Sequence, residues 1–195
     1  MCKLSVSAAK QMLNEAARLN PGPWVRHSEY VAAAAGRIAA RCGLDAEKAY
    51  VLGLLHDIGR RFGTGHIAHV YDGYHYLIKL GYADAARIAL THSFNNGGLD
   101  DYIGNFDISS EKQRELAALL AAAECDDYDR LIQLCDSIAT ADGIVAIEER
   151  MNDVKRRYGF YPQRKWDKNI ELKRYIEDKM GCCIYDAAGT DIAEN

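Results

Sequence analysis

The segment GLLHDIG (residues 53–59) ends a helix that is apolar on nearly every side. Such a helix is predicted to be buried in a helical core. A histidine and an aspartate at its end carry a large desolvation cost unless both are satisfied. His56 and Asp57 point about 100° apart on a helix and so do not make an ordinary hydrogen-bonded pair with each other. A shared metal ion would satisfy both side chains; the alternative is a bonded core histidine beside a helix-end carboxylate.

The other histidines favour the metal, because helical spacing places them on separate helices. All six histidines of the 195-residue chain lie between His27 and His92. Four of them, with two aspartates, fall on the inward faces or ends of five predicted helices. The candidate ligands are His27, His56, Asp57, His69, His92 and Asp136. Six such groups directed inward are typical of a metal centre. His75, on a mixed face, and His66, in a glycine-bearing loop, are expected to lie outside it.

Apolar residues recur at spacings of three and four throughout, and only three prolines interrupt the chain. This pattern predicts an all-α fold, a helical bundle of about eight to nine helices. Residues 1–195 are expected to form one domain with its core motifs in 24–150. The polar segment 95–109 is predicted to be a lid or a substrate wall. The last fifteen residues are expected to be loosely ordered.

Composition excludes several classes of protein. A net charge of −4 with 27% charged residues argues against disorder and against a general nucleic-acid binder. No apolar run approaches the roughly 20 residues of a membrane span. The six cysteines form no CxxC pair and no disulfide framework, so a reducing, cytoplasmic location is expected. The helices of residues 150–180 are basic and present either an anion-binding face or a solvated one.

The order of these residues resembles a known family. His27, the His56-Asp57 pair and Asp136 match the H…HD…D signature of the HD-domain metal-dependent phosphohydrolase superfamily, and the resemblance covers residues 24–150. His69 and His92 resemble the third and fourth histidines of its six-ligand, two-metal branch, the HDIG type. That branch includes diadenosine-tetraphosphate hydrolases, HD-GYP cyclic-dinucleotide phosphodiesterases and a few diiron oxygenases. The resemblance implies an all-helical HD domain.

The resemblance also implies a dinuclear centre in which Asp57 bridges two divalent ions. His27, His56 and Asp136 would complete one ion, and His69 and His92 the other. Four imidazoles and two carboxylates suit iron or manganese, with zinc and nickel as alternatives. A hydroxide bridging the two ions would attack phosphorus in line.

Arginines beside this centre are candidates to hold the substrate, because a guanidinium matches phosphate oxygens in a bidentate fork. Arg60 and Arg61 follow the HD pair directly, and Arg150 follows Asp136. All three are predicted to bind substrate phosphate. Asp57 and Arg60 are the predicted catalytic residues.

The function expected from this resemblance is hydrolysis of a phosphate ester or anhydride of a small molecule, with a nucleotide or dinucleotide as the substrate. Neither duplex nucleic acid nor membrane is an expected partner. The sequence departs from the HD-GYP pattern around His92, and Arg60 stands where the one-metal nucleotidases have a glutamate. A diiron oxygenase is the alternative, although residues 17–23 lack that class's tyrosine and glutamate. A non-catalytic HD-fold sensor is the third possibility.

Overall fold

The computed structural model describes residues 4–63 and 65–189, and these residues form an all-α fold. Its ten α-helices are α1 (Val6–Leu19), α2 (Trp24–Arg41), α3 (Ala46–Leu55), α4 (Ala68–Lys79), α5 (Ala83–Thr91), α6 (Ser110–Ala122), α7 (Asp127–Asp136), α8 (Ile147–Tyr158), α9 (Gln163–Met180) and α10 (Ile184–Ala188). Short 3₁₀ helices cover Ile58–Phe62 and Leu99–Asp101. Within the described residues no β-strand forms, and a single isolated bridge joins Ala139 to Ile144. The predicted all-α fold is confirmed.

The tenth helix, α10, lies in the segment expected to be loosely ordered. That expectation was wrong for residues 184–188, because Ile184 and Ala188 are buried against the core. Arg37 of α2 donates to the Ala188 carbonyl at 2.8 Å, and the Tyr185 hydroxyl accepts from the backbone N–H of Ile147 at 2.8 Å. A five-residue amphipathic helix has too short a pattern to be read from sequence. Residues 190–195 lie outside the described residues.

The centre of the fold is the packing of α3 against α2. Every residue of α3 from Val51 to Leu55 is buried, as its apolar pattern predicts. A Cβ added at Gly53 would lie 2.8 Å from the Cα of Ala32, so glycine and alanine allow the two backbones to approach closely. The N-cap of α3 is Asp45, whose side chain accepts from the Lys48 N–H at 2.9 Å.

A second close approach follows immediately after α3. The 3₁₀ helix at Ile58–Phe62 packs on α4, where a Cβ on Gly59 would lie 1.9 Å from the carbonyl oxygen of His69 and 2.6 Å from the nitrogen of Gly73. Only hydrogen fits in that space. The glycines flanking His56 and Asp57 therefore bring α2 and α4 up to the HD pair.

None of the helices formed by the described residues has both the length and the apolar character needed to cross a membrane.

Replacing Gly59 by alanine is expected to destabilise the protein by more than about 4 kcal/mol, because the added methyl overlaps backbone atoms that have no room to move. Urea unfolding followed by circular dichroism measures this. Gly36→Ala on α2 is the control, since its Cβ comes no closer than 3.3 Å to another atom; it should change stability by less than about 1 kcal/mol. Equal unfolding midpoints for Gly59→Ala and wild type would contradict the packing described.

Candidate metal centre

Helix ends bring the six candidate ligands together. His27 and His69 lie in the first turns of α2 and α4, whereas His56 and His92 directly follow the last residues of α3 and α5. Asp136 is the last residue of α7. The four imidazoles and Asp57 are each less than 9% exposed, so the cluster is buried.

Hydrogen bonds to the backbone set the orientation of three imidazoles. Nδ1 of His56 bonds to the carbonyl of Gly53 at 2.7 Å, and Nδ1 of His92 bonds to that of Ala89 at 3.0 Å. Nδ1 of His69 makes the same contact with the carbonyl of His66. A carbonyl oxygen only accepts, so Nδ1 carries the proton in each ring. In the neutral form, each ring therefore presents an unprotonated Nε2 to the centre.

The Nε2 atoms have no proton donor to satisfy them. Nε2 of His69 and Nε2 of His92 lie 3.3 Å apart, which places two lone pairs against each other when both Nδ1 atoms are protonated. Nε2 of His56 and Oδ1 of Asp57 are buried without any hydrogen-bond partner among the described residues. Buried polar atoms of this kind require a partner, and a cation at the focus of these acceptors supplies one.

Asp57 is shared by two groups of ligands. The ligand atoms of His27, His56 and Asp57 lie within 4.8 Å of one another, and so do those of Asp57, His69 and His92. Oδ1 of Asp57 lies 3.1 Å from Nε2 of His69 and 3.5 Å from Nε2 of His92. Oδ2 lies 4.0 Å from Nε2 of His56. Each carboxylate oxygen thus faces one group, an arrangement suited to a bridging ligand between two ions.

Asp136 joins the first group at its edge. Its Oδ1 lies 2.9 Å from Nε2 of His27 and 3.9 Å from Nε2 of His56. The residues therefore fit two metal ions, with three protein ligands and Asp57 on one side and two histidines and Asp57 on the other. The donor set of imidazole and carboxylate is that of transition metals.

Protonation states match metal binding. Burial lowers the pKa of His56 to about 4 and also lowers that of His69, because desolvation disfavours the imidazolium. Burial alone would raise the pKa of Asp57, but Arg60, His69 and His56 outweigh it and hold that pKa well below its usual value. His27 and the other histidines likewise outweigh burial at Asp136 and lower its pKa. Neutral imidazoles and ionised carboxylates are the forms that bind metals.

The three arginines predicted to bind substrate differ in where their guanidinium groups lie. Nε of Arg60 donates to Oδ2 of Asp57 at 2.6 Å, and its backbone carbonyl accepts from Asn20 at 2.6 Å, so Arg60 lies at the centre. Arg150 lines the same cleft and lies 3.4 Å from Asp153. Arg61 instead places its guanidinium 4.2 Å from the ring centre of Tyr76 and does not line the cleft. The geometry gives no support to substrate binding by Arg61.

The two remaining histidines lie apart from the cluster. His75 is half exposed and its Nε2 lies 3.3 Å from Glu115, whereas Nε2 of His66 contacts the side chain of Asn105 at 3.3 Å. Their predicted separation from the ligands matches this placement.

A cleft of about 500 Å³ opens onto the ligands, a size that suits a small molecule. The polar segment after α5 contributes Asn95, Tyr102 and Ile103 to its wall. Helices α8 and α9 contribute side chains that the sequence did not single out, among them Arg157 and Lys165. Basic composition was the only signal for them, and composition does not tell a cleft wall from a solvated face.

Comparison with known families agrees with this geometry. The family model described as HD domain matches residues 24–141, which is more than half of the chain. The chain belongs to the HD domain family. Neither the curated proteins nor the solved structures gave a match. The match ends before α8, so the part of the cleft wall formed by α8 and α9 lies outside the family region.

HD domains are in general metal-dependent phosphohydrolases that bind divalent ions, and the histidine and aspartate cluster of this chain is compatible with such a site.

Substitutions at the centre should change metal content in a graded way. Wild-type protein, purified without added metal, is expected to hold about two equivalents of transition metal. Asp57→Asn should lose both, because both groups share that carboxylate, and His69→Ala should lose about one. Elemental analysis measures this, with His75→Ala as the control that keeps both ions. Stoichiometry near zero in a folded wild-type protein would contradict the site.

The metal-free protein is expected to lose stability as the pH falls from about 6.5 to about 4. His56 takes up a proton near pH 6.5 when unfolded but only near pH 4 when folded, so acid favours the unfolded chain. Stability from this group is complete above pH 6.5, and about 3 kcal/mol is lost through the window. Urea unfolding of chelator-stripped protein measures it. His56→Asn should flatten the dependence, and the half-exposed His75→Asn should not; identical slopes in both would contradict the assignment.

Proposed function

We propose that this protein is a two-metal phosphohydrolase that cleaves a phosphate ester or anhydride of a small molecule, with nucleotides or dinucleotides as its substrate class. The observation that carries the proposal is the sharing of Asp57: its two oxygens face two separate groups of ligands. A centre with one metal ion, in the group of His27 and His56, would leave Nε2 of His69 and Nε2 of His92 3.3 Å apart with no cation between them. We propose iron or manganese as the metals, on the basis of the histidine-rich donor set.

Two divalent ions held there would lower the pKa of water and offset negative charge on the phosphoryl oxygens. The chain itself supplies the positioning. Asp57 and Asp136 are ionised, and backbone carbonyls hold a ring nitrogen of His56, His69 and His92, so most of the ligands need little rearrangement on metal binding. This preorganisation is what a phosphoryl-transfer site requires.

We propose that Arg60 binds the phosphoryl group. Only its Nε–H is used by Asp57, so the remaining guanidinium N–H groups are available to oxygens of a substrate in the cleft. The carboxylate raises the pKa of Arg60 above its usual value despite burial, which keeps the guanidinium charged. Burial raises the pKa of Tyr102 as well, so its hydroxyl stays protonated and can donate to a phosphate oxygen.

The rest of the cleft supports a nucleotide. Trp24, Tyr102, Tyr158 and Tyr161 line it, and aromatic rings of this kind stack on nucleobases. Three aspartates and four cationic side chains also line it among the described residues, so two bound ions would make its net charge strongly positive. A cleft that combines aromatic rings with excess positive charge favours a base joined to phosphates.

The activity test is a substrate panel run under three conditions: with Mn²⁺ in air, with Fe²⁺ under anaerobic conditions, and with Fe²⁺ after O₂ is admitted. The panel contains nucleoside mono-, di- and triphosphates, dinucleoside polyphosphates and cyclic nucleotides. Reaction in H₂¹⁸O should place one ¹⁸O in the product that carries the attacked phosphoryl group, without any need for oxygen gas. Products that form only with O₂ and carry label from ¹⁸O₂ would instead establish a diiron oxygenase. Metal-loaded protein that turns over nothing under any of the three conditions would favour a sensor.

Substitutions of Asp57 and Arg60, the two proposed catalytic residues, should lower activity by different amounts. Asp57→Asn is expected to lower kcat/KM by more than about a thousandfold, because it removes the shared ligand. Arg60→Met should lower it by about ten- to a hundredfold while metal content stays near wild type, and Arg60→Lys should recover part of the loss. Initial rates with the best substrate of the panel measure this, and Arg61→Met is the matched control that should retain activity. Equal losses at Arg60 and Arg61 would contradict the assigned roles.

A further inference from the structure

Lys165, in the first turn of α9, reaches the cleft from outside the family region. Its Nζ donates to the carbonyl oxygen of Ser93 at 2.6 Å, and Ser93 directly follows the candidate ligand His92. Lys165 lines the cleft together with the metal ligands. Its ammonium is therefore held in the cleft wall beside the residue that follows His92, although α9 is distant from His92 in sequence.

Lys165 differs from the other cations of the cleft in having no carboxylate partner. Arg60 is bonded to Asp57 at 2.6 Å, and Arg150 and Arg157 contact Asp153 at 3.4 and 3.0 Å. No ion pair within the described part of the chain includes Lys165. An ammonium has three N–H donors, and the Ser93 carbonyl uses one of them.

The acidic groups near Lys165 are already engaged. Asp101 is buried and accepts from the side chain of Asn96 at 2.7 Å and from its backbone N–H. Asp136 contacts His27 and belongs to the candidate metal centre. Both act on Lys165 only at a distance, and burial outweighs them and lowers its pKa. A partly desolvated cation with two unused donors is costly, and an anion in the cleft would offset that cost.

We propose that Lys165 binds a second anionic group of the substrate, one that is separate from the phosphoryl group held by the metals and Arg60. This inference rests on the proposed function and narrows its substrate class to molecules with at least two phosphate groups, such as nucleoside diphosphates, triphosphates and dinucleoside polyphosphates. Arg60 is bonded to Asp57 and Lys165 to the carbonyl of Ser93, so the two cations are held by different groups of the cleft wall and offer two anchoring points for such a molecule.

The test compares two anions that the enzyme does not hydrolyse, orthophosphate and methylenediphosphonate, by calorimetry on metal-loaded protein. Lys165→Gln removes the charge but keeps an N–H donor for the Ser93 carbonyl, so the hydrogen bond between α9 and Ser93 can still form. We expect it to weaken diphosphonate binding by about tenfold or more and orthophosphate binding by less than about threefold. Lys165→Arg should restore most of the diphosphonate affinity.

Lys168→Gln is the matched control. Lys168 lies on the same helix, bonds to the exposed Glu171 at 2.7 Å and does not line the cleft. It should bind both anions as the wild type does. Metal content, measured in each sample after the titration, separates a loss of anion binding from a loss of metal.

Equal diphosphonate affinity in wild type and Lys165→Gln would overturn the inference. Equal weakening of both anions would also overturn it, because Lys165 would then hold the reacting phosphoryl group, and so would a metal-loaded wild type that binds neither anion. If the wild type binds the diphosphonate but hydrolyses nothing in the substrate panel, the proposed function fails while the Lys165 comparison still decides the inference.

Discussion

The centre depends on one repeated interaction, the bond from a histidine Nδ1–H to a backbone carbonyl three residues earlier. At His56 and His92 that carbonyl belongs to the last turn of a helix, where carbonyl groups have no intrahelical partner. The same bond satisfies the carbonyl, selects the ring tautomer and aims Nε2 at the site. Free carbonyls also carry partial negative charge at the ends of α3, α5 and α7, which favours a cation, whereas the first turns of α2 and α4 contribute partial positive charge.

Close backbone packing is the second requirement, and it explains the glycines on either side of the HD pair. Gly53 allows α3 to contact Ala32 of α2, and Gly59 allows the following 3₁₀ helix to contact the backbone of His69. These approaches bring His27 and His69 within reach of Asp57. The metal ligands and the core packing thus constrain the same seven residues, which is why that segment determines both fold and site.

Much of this was predictable from helical phase. A histidine on the inward stripe of a long helix has a side-chain direction set by local geometry, so His27 and His69 could be placed from their spacing alone. The HD pair could be placed from burial and desolvation cost. Phase could not separate Arg60 from Arg61, because both were expected in the glycine-bearing loop after the helix, whereas their directions depend on the 3₁₀ helix that forms there. Arg61 consequently turned to the ring of Tyr76.

The position of Lys165 in the cleft could not be predicted from the sequence, for a different physical reason. Its position depends on how α9 docks against the segment after α5, and the contact with that segment is a buried polar network, although Leu172 and Ile176 of α9 are also buried. Asn169 of α9 is buried, accepts from Ser137 at 3.1 Å and from Asn95, and donates to the hydroxyl of Tyr161 at 2.7 Å. Such networks specify one arrangement of helices but leave no periodic signal in the sequence.

The division of the cleft between two parts of the chain has an electrostatic consequence. Without metal, the negative charges of Asp57 and Asp136 lie beside neutral imidazoles, and Asp153 offsets part of the charge of Arg150 and Arg157. Two divalent ions would reverse the sign of the electrostatic potential at the ligand end of the cleft. The positive charge of Lys165, which α9 contributes, is present with or without these ions. Attraction of a polyphosphate should therefore be weak in the metal-free protein and strong in the loaded one, which makes metal binding the step that must come before substrate binding.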